Sequence, residues 1–277
     1  MTPTHIPKWS GRGLEIPVMG FGTSYLENCS ESVATAIKLG YRLFDTARKY
    51  GTEEGVGAGV RASGVPRTDI FLSTKVSHQH LRAADFARSL EASLNALQFS
   101  YVDLLLINWP NKAVPLAETM GAMARAKQQG LTRHIGVCNF NIAMLKEAMH
   151  LCPEPLAVLQ AEYHPYLDQT RLLAFCRETG LHFMAFAPIR HKNLRTDPVI
   201  DEIARARGKT FAQIALRWLI QQGDISPIPS SDNQRHIAEN INIFNFTLTD
   251  DEMKKISALK RADGRTSSIA GYAPDWD

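Results

Sequence analysis

The sequence lacks several features that would assign a protein to a class at once. No apolar run approaches the roughly 20 residues of a membrane-spanning helix, and the first ten residues lack the basic and apolar regions of a secretory signal. The four cysteines form no Cys-x-x-Cys motif, which argues against a disulfide framework and a zinc site. The 31 Lys and Arg and the 28 Asp and Glu are scattered, which does not indicate nucleic acid or a membrane surface as partner. These absences predict a cytoplasmic protein, most simply a monomer, whose partner is a small molecule.

Apolar segments of strand length alternate with amphipathic segments of helical length along the whole chain. Helices are expected over Ser30–Leu39, Ala84–Leu97, Pro115–Gln129 and Gln169–Thr179, the last two each followed by a helix-ending glycine. The segments that predict strands are VMGFGT from Val18, RLFDTA from Arg42, IFLSTK from Ile70, VDLLLINW from Val102, HIGVCN from His134, LAVLQAE from Leu156, HFMAFAPI from His182 and ISPIPS from Ile225.

Strands that are apolar on both faces and separated by helices are typical of a parallel sheet covered by helices. A series of eight such units favours a closed (β/α)8 barrel of the α/β class, the TIM barrel. No linker divides the 277 residues, 44% of which are hydrophobic. We therefore predict a single barrel domain over residues 1–277, with a short N-terminal hairpin around Ser10–Gly13.

Polar side chains stand at the ends of these apolar strands. In a barrel the carboxyl ends of the strands meet at one face, where the connecting loops build the site. The sequence therefore predicts a functional site at the carboxyl-terminal end of the barrel, whose strands are otherwise structural. In strand order, the residues are Thr23, Asp45, Lys75, Asn108, Asn139, Gln160 with Glu162, Pro188 and Ser230.

Asp45, Tyr50 and Lys75 form a group with a possible acid–base chemistry. The ordinary pKa of a tyrosine, near 10, is too high for easy proton donation at neutral pH, whereas a neighbouring ammonium favours the phenolate and lowers that pKa. An aspartate paired with the lysine would hold it in place and keep it charged. The alternative is a structural Lys–Asp pair beside an unrelated tyrosine.

Several sequence blocks, from about Ile16 to about Leu259, resemble the signature blocks of the aldo-keto reductases in order and spacing. They are GYRLFDTARKYGTEEGVG, SGVPRTDIFLSTKV, SLNALQFSYVDLLLINWP, HIGVCNF, LQAEYHPY and IPSSDNQRHIAEN. The resemblance implies a (β/α)8 barrel that binds a nicotinamide cofactor and passes its hydride to the carbonyl of an aldehyde or ketone.

The resemblance also implies a catalytic tetrad. Tyr50 matches the family's proton donor, Lys75 and Asp45 match the residues that lower its pKa, and Asn108 stands where the family usually has histidine. An asparagine amide can still donate a hydrogen bond to a carbonyl oxygen, but it cannot relay a proton. We expect reduction to continue at a reduced or retuned rate. A carbon–carbon double-bond reductase and a cofactor-binding regulatory protein with little turnover remain alternatives.

The resemblance places the cofactor site as well. Cys138, Asn139 and Gln160 match the residues that hold the nicotinamide carboxamide, with Cys138 replacing a serine, and Phe186 matches the aromatic residue beneath the ring. Glu239 and Asn240 match the adenine-binding residues. The full set of expected cofactor-binding residues is Gly22, Thr23, Asp45, Cys138, Asn139, Gln160, Phe186, Ala187, Pro188, Ile189, Ile228, Ser230, Ser231, Asp232, Arg235, His236, Glu239 and Asn240.

Two substitutions in the last block bear on the choice between NADPH and NADH. Ser230 and His236 replace the family's usual lysine and arginine, which grip the 2′-phosphate of NADPH. Asp232 could instead accept a bond from the free 2′-hydroxyl of NADH, as acidic residues do in dinucleotide-binding folds, while Arg235 could compensate for the lost charge. The resemblance therefore implies NADPH or NADH as cofactor and favours use of NADH.

The expected substrate pocket consists of Lys49, Tyr50, Asn108 and Trp109. Lys49 stands where the family often has an apolar residue, which indicates a polar or anionic carbonyl compound unless it is an ordinary solvated loop charge. Tyr272 and Trp276 in the last segment either cap the pocket or pack outside the barrel.

Two further motifs are set aside. The glycines of Gly55–Gly59 imitate a dinucleotide-binding loop but do not follow a strand, so we expect them to allow close helix packing. His78 and His80 resemble a pair of metal ligands, but no third ligand is evident. No metal is therefore expected.

Overall fold

The structure is a computed structural model that describes residues 5–277. Its strands are β1 (Lys8–Gly11), β2 (Leu14–Pro17), β3 (Gly20–Gly22), β4 (Leu43–Asp45), β5 (Phe71–Val76), β6 (Val102–Ile107), β7 (Thr132–Cys138), β8 (Leu156–Glu162), β9 (His182–Phe186) and β10 (Ile225–Pro227). Its α-helices are α1 (Cys29–Leu39), α2 (Glu53–Ala62), α3 (Ala83–Leu97), α4 (Leu116–Gln128), α5 (Ile142–Leu151), α6 (Thr170–Thr179), α7 (Pro198–Arg207), α8 (Phe211–Gln221), α9 (Gln234–Ile241) and α10 (Asp250–Ser257).

The eight strands β3 to β10 form one sheet in which neighbours in sequence are neighbours in space. All of their pairings are parallel. The two ends of the sheet meet where the Gly22 amide donates to the carbonyl of Pro229 at 2.9 Å, so the sheet forms a nearly closed barrel with helices between its strands. The predicted barrel is confirmed, and each predicted strand segment overlaps an observed strand.

Two apolar layers follow from the alternation of side chains along each strand. In β6, Leu104 and Leu106 point into the barrel with Met184, whereas Leu105 and Ile107 join the larger cluster between sheet and helices. Both layers are buried, which explains why the strands read as continuous apolar runs.

The predicted hairpin closes the amino-terminal end of the barrel. β1 and β2 pair antiparallel, and Arg12 and Gly13 between them have φ of 49° and 75°, as a two-residue hairpin turn requires. Ile16 joins the apolar cluster inside the barrel. The indole Nε1 of Trp9 donates to Asp224 Oδ1 at 2.6 Å and ties the hairpin to the segment before β10.

The glycines of Gly55–Gly59 lie inside α2, as expected for packing rather than phosphate binding. A Cβ at Gly57 would lie 2.1 Å from the carbonyl oxygen of Leu97, and one at Gly59 would lie 2.6 Å from that of Ser30. These glycines let α2 approach α1 and the end of α3. Within residues 5–277, none of the helices combines the length and apolar character needed to cross a membrane.

Candidate active site

A cavity of about 1220 Å³ lies at the carboxyl ends of the barrel strands. All but one of the expected cofactor-binding residues, and all four expected substrate-pocket residues, line it; Asp232 is the exception. Lys75 does not line the cavity and is buried beneath Tyr50, with 2% of its surface exposed. Apart from Lys75 and Glu162, the residues that the sequence placed at successive strand ends line this one cavity.

The ammonium group of Lys75 has three oxygen neighbours, one for each proton that it can donate. Nζ lies 2.5 Å from Asp45 Oδ2, 2.9 Å from the carbonyl oxygen of Thr46 and 3.5 Å from the phenol oxygen of Tyr50. Tyr50 ends a short 3-10 helix, Arg48–Tyr50, that follows β4. Adjacent strands thus supply Asp45 and Lys75, and the loop after β4 brings the phenol to them.

The carboxylate of Asp45 is fixed from its other side. Its Oδ1 accepts hydrogen bonds from Ser73 Oγ at 2.7 Å and from Gln160 Nε2 at 2.9 Å. Asp45 is 2% exposed, so each of these bonds replaces one to water that burial removes. Gln160 therefore gives an amide proton to Asp45, in addition to lining the cavity.

The pKa of Tyr50 corrects one detail of the sequence analysis. Burial raises the pKa of the phenol, the Lys75 ammonium lowers it and the Asp45 carboxylate raises it again, so that the pKa lies above its ordinary value. A net lowering was expected because the sequence shows the nearby cation but not the depth of burial. The phenol thus stays protonated at neutral pH. Burial alone would lower the pKa of Lys75, but Asp45 and Tyr50 raise it, so the lysine stays charged.

Asn108 and Asn139, at the ends of β6 and β7, are joined to each other. The Nδ2 group of Asn139 donates to the backbone carbonyl of Asn108 at 2.9 Å. Asn139 has a φ of 61°, a conformation that asparagine tolerates better than most residues, and this conformation ends β7 at Cys138. The Oδ1 atom of Asn139 is buried without a hydrogen-bond partner. The wall thus presents an unused acceptor. Burial raises the pKa of the neighbouring Cys138 thiol, which stays protonated.

The far end of the cavity is built by the segment that leads into α9. Ser230, Arg235, His236 and Asn240 line it, and Asn233 caps the helix by accepting from the amides of Arg235 and His236. Arg235 Nε lies 3.5 Å from Glu239 Oε1. The exposed Arg235 is therefore the cationic side chain that α9 presents here, next to the half-buried His236.

Asp232 is placed differently from the expectation. Its Oδ2 accepts from the amide of Glu27 at 3.0 Å, and its Oδ1 accepts from Asn28 and from Ser32 Oγ at 3.4 and 3.0 Å. Both carboxylate oxygens are thus engaged at the start of α1, outside the cavity wall. A helix start offers free amides to any nearby carboxylate, and the sequence alone does not show that α1 lies beside this loop.

The cavity wall also contains residues that the sequence analysis did not assign to it. They are Ser24, Tyr25, Arg195, Thr210, Phe211, Ala212, Pro229, Asn233 and the segment 266–269. Most lie in loops and at helix starts, where no periodic pattern marks the side that faces a site. Arg190, in the segment after β9, lines the cavity too.

The last segment of the chain packs against the cavity wall rather than outside the barrel. Trp276 contacts Trp109 edge to face, with ring centroids 6.2 Å apart, and Tyr272 lies 4.1 Å from the His78 ring. His78 is thus a packing partner of Tyr272. In the part of the chain that the structure describes, no three His, Cys, Asp or Glu side chains gather as metal ligands would.

Comparison with known proteins decides the family. The model of the Aldo/keto reductase family matches residues 19–261. The chain belongs to the aldo-keto reductase family. It is 37% identical over 269 residues to a methylglyoxal reductase, DkgB, of Escherichia coli O157:H7, covering 95% of this chain and 100% of that protein. It is 38% identical over 252 residues to a glyoxal reductase of Bacillus subtilis, covering 90% and 91%.

Solved structures agree with this assignment. The aldo-keto reductase of Bombyx mori in complex with NADP superimposes with a TM-score of 0.86 at 31% identity, covering 93% of this chain and 94% of that one. The protein is thus an aldo-keto reductase, an enzyme of a family that uses NAD(P)H to reduce carbonyl compounds.

The cavity of this aldo-keto reductase has features that fit a nicotinamide cofactor. The unpartnered Asn139 Oδ1 is an acceptor suited to a carboxamide NH2. The half-buried ring of Phe186 offers an aromatic face in the same wall, and Arg235 and His236 offer donors to phosphate at the far end. These features lie on one continuous wall.

Proposed function

We propose that this aldo-keto reductase, acting as a single domain, reduces the carbonyl group of small aldehydes and ketones, including dicarbonyl compounds of the kind named for its bacterial relatives. The observation that carries the proposal is the phenol oxygen of Tyr50, 3.5 Å from a buried lysine and on the wall of a large cavity. A site that only binds a ligand has no need of such a proton donor.

Tyr50 is the general acid. Its phenol, protonated in the resting site, donates a hydrogen bond to the carbonyl oxygen and then transfers that proton as negative charge develops there. A bound NAD(P)H supplies the hydride that the carbonyl carbon accepts. The ammonium of Lys75 stabilises the phenolate as it forms, and Asp45 keeps that ammonium charged and in place. A proton donor positioned in this way is typically worth about 10²- to 10⁴-fold in rate.

Asn108 orients the substrate. It lies in the wall beside Trp109 and Tyr50, where its NH2 group donates to the same carbonyl oxygen that Tyr50 protonates. The amide stays neutral at every pH, so its contribution does not depend on protonation. Because the acid is Tyr50, the loss of the family's usual histidine retunes the rate and leaves the reaction possible.

Cofactor binding is assigned to the continuous wall from Asn139 to Asn240. Asn139 and Gln160 would hold the carboxamide, Phe186 would support the ring, and Glu239 and Asn240 would contact the adenine. We further propose that the enzyme uses NADH, because Ser230 and His236 leave this end of the cavity without the paired cations that bind a 2′-phosphate tightly. Asp232, held at α1, does not contribute to that choice.

The direct test follows oxidation of NADH and of NADPH with a panel of aldehydes, ketones, dicarbonyls and enones. We expect turnover with carbonyls that falls by roughly 10²- to 10⁴-fold in Tyr50→Phe. Tyr25→Phe is the matched control, because its ring lies 6.0 Å from that of Tyr50 but is 70% exposed. Turnover of enones alone would show a double-bond reductase, and tight cofactor binding without turnover would show a regulatory protein.

A further inference from the structure

Glu162 is a buried carboxylate that the proposed reaction does not use. It ends β8 with 0% of its surface exposed, two residues after Gln160. Its Oε1 accepts from the amide of Thr266 at 2.9 Å and also from the Thr266 hydroxyl, and its Oε2 accepts from the amide of Ser267 at 2.9 Å. Three donors therefore reach this carboxylate from a segment about a hundred residues later in the chain.

The remaining partner of the Glu162 side chain is His164. The Nδ1 atom of His164 accepts from the amide of Tyr166 at 3.3 Å, so the ring proton lies on Nε2, which donates to Glu162 Oε1 at 3.2 Å. Burial raises the pKa of the Glu162 carboxyl, but the hydrogen bonds from His164, Thr266 and Ser267 outweigh burial and hold the pKa below its ordinary value. The carboxylate is thus ionised and held mainly by neutral donors.

The segment that Glu162 holds, residues 265–277, is here called the strap. The strap contains neither helix nor strand, and Pro274 alone of its residues is buried. Its own apolar contacts therefore do little to hold it in one conformation. Residues 266–269 line the cavity. Farther along, Trp276 contacts Trp109, and the carbonyl of Asp275 accepts from Asn141 Nδ2 at 2.8 Å. The strap therefore crosses the barrel mouth on the side of the expected substrate pocket.

We propose that Glu162 is a positioning residue that fixes the strap over the barrel mouth and so sets which carbonyl substrates the enzyme accepts. This inference rests on the proposed function. The barrel does not need the carboxylate for its own strand pairing, since β8 pairs with both neighbours through its backbone. Three donors of the strap, in contrast, end on the Glu162 carboxylate. Loosening that anchor opens the substrate side of the cavity and leaves the cofactor wall intact.

The test is Glu162→Gln, which keeps the size of the side chain but places an NH2 group against amide donors of the strap. We expect kcat/KM for a small carbonyl substrate to fall by up to roughly 10²-fold, because a misplacement of about 1 Å can have that effect. The value of kcat/KM for bulky carbonyl substrates should fall less, so that the ratio of kcat/KM between bulky and small substrates rises. The Kd of NADH, measured by fluorescence titration, should stay within twofold.

A spectroscopic readout follows the strap itself. Acrylamide quenching is compared between the wild type and Glu162→Gln, each with and without Trp276→Phe, so that the difference reports Trp276. We expect Trp276 to become more accessible in Glu162→Gln. Asp103→Asn is the matched control: Asp103 is also buried, at 3% exposure, but its partners Arg67 and Arg133 do not belong to the strap. That variant should be less stable, but its ratio of kcat/KM between bulky and small substrates and the accessibility of its Trp276 should not change.

Thr266→Val is a milder variant for the case in which Glu162→Gln does not fold. It removes the hydroxyl donor and keeps the amide, and it should shift both readouts in the same direction. If a folded variant keeps the wild-type ratio of kcat/KM between bulky and small substrates, or the wild-type accessibility of Trp276 to acrylamide, the role of Glu162 is overturned. A wild type that turns over no carbonyl overturns the proposed function first, and the inference with it, whereas Trp276 accessibility still reports whether Glu162 holds the strap.

Discussion

The side-chain amide of Asn139 donates a 2.9 Å hydrogen bond to the backbone carbonyl of Asn108. The residue expected to hold the cofactor is thereby tied to the residue expected to orient the substrate, at the ends of adjacent strands. Because the bond uses the main chain of Asn108, its side chain remains available to a ligand and can be replaced without breaking this link. The cofactor wall and the substrate wall can therefore be tested separately.

The first prediction concerns Asn108. Asn108→Ala should lower kcat for carbonyl reduction by roughly 2- to 12-fold, the equivalent of one neutral hydrogen bond of about 0.5–1.5 kcal/mol. Asn108→His should raise kcat, since an imidazole donor reaches farther than the amide. Steady-state kinetics measure both, with the Kd of NADH as control because the Asn139 bond is retained. A rise in activity in the alanine variant would contradict the orienting role.

A second prediction concerns the buried pair of Asp45 and Lys75, whose side chains are 3% and 1% exposed. Asp45→Asn should lower the free energy of unfolding by about 3–5 kcal/mol, because it leaves a buried ammonium without its partner charge. Glu15→Gln is the matched control, since its pair with Lys8 is more than half exposed and should be worth less than about 1 kcal/mol. Urea unfolding measures the free energy of unfolding of both variants. Equal losses in the two variants would contradict the conclusion that the Asp45–Lys75 pair is buried and charged.

Cofactor choice gives a third prediction. The double variant Ser230→Lys with His236→Arg should raise the ratio of kcat/KM with NADPH to that with NADH by roughly 10- to 150-fold, as expected for one charged hydrogen bond of about 1.5–3 kcal/mol. Asp232→Asn should leave the ratio unchanged, because its carboxylate is held at α1. A selective loss of NADH use in Asp232→Asn would restore the role that the sequence suggested.

The pH dependence of stability gives a fourth prediction, through His182. Burial lowers the pKa of this histidine to about 3 in the folded protein, whereas the unfolded chain titrates near 6.5. Between these values the unfolded state binds the extra proton, so stability falls as pH falls below about 6.5, by at most about 1.4 kcal/mol per pH unit.

Urea unfolding at pH 7.5 and pH 5.5 measures this effect. The wild type should lose about 1.4 kcal/mol more than His182→Gln between the two pH values. Glutamine is chosen because its Nε2 can reach Ser226 Oγ, which lies 2.8 Å from His182 Nε2. Since the pKa values of His78, His134 and His191 are also lowered, the comparison with the variant isolates His182. Equal losses would mean that His182 is solvated or charged in the folded state.

Much of the fold followed from the sequence because a series of strand segments that are apolar on both faces, separated by helices, is typical of a covered parallel sheet. The convergence of Asp45, Lys75 and Asn108 followed from the same geometry, since the carboxyl ends of barrel strands share one face. Strand lengths were overestimated where backbone conformation, not polarity, ends the strand. Ala187 is an example: its φ of 52° ends β9 inside an apolar run.

Other properties could not be predicted, because they depend on neighbours that only folding brings together. The position of Asp232 depends on the start of α1, which is 200 residues away in the chain. The pKa of Tyr50 depends on its depth of burial as much as on Lys75. The strap has no periodicity to indicate which of its side chains face the cavity. The proximity of Asp45, Tyr50 and Lys75 was predictable from motif and strand order, while the burial and hydrogen bonds around them were not.

The side chains packed inside the barrel and the hairpin of β1 and β2 leave no passage through it in the part of the chain that the structure describes. Ligands therefore reach the cavity from the rim where the strands end. Two ligands that share such an opening do not exchange independently: whichever lies deeper arrives first and departs last.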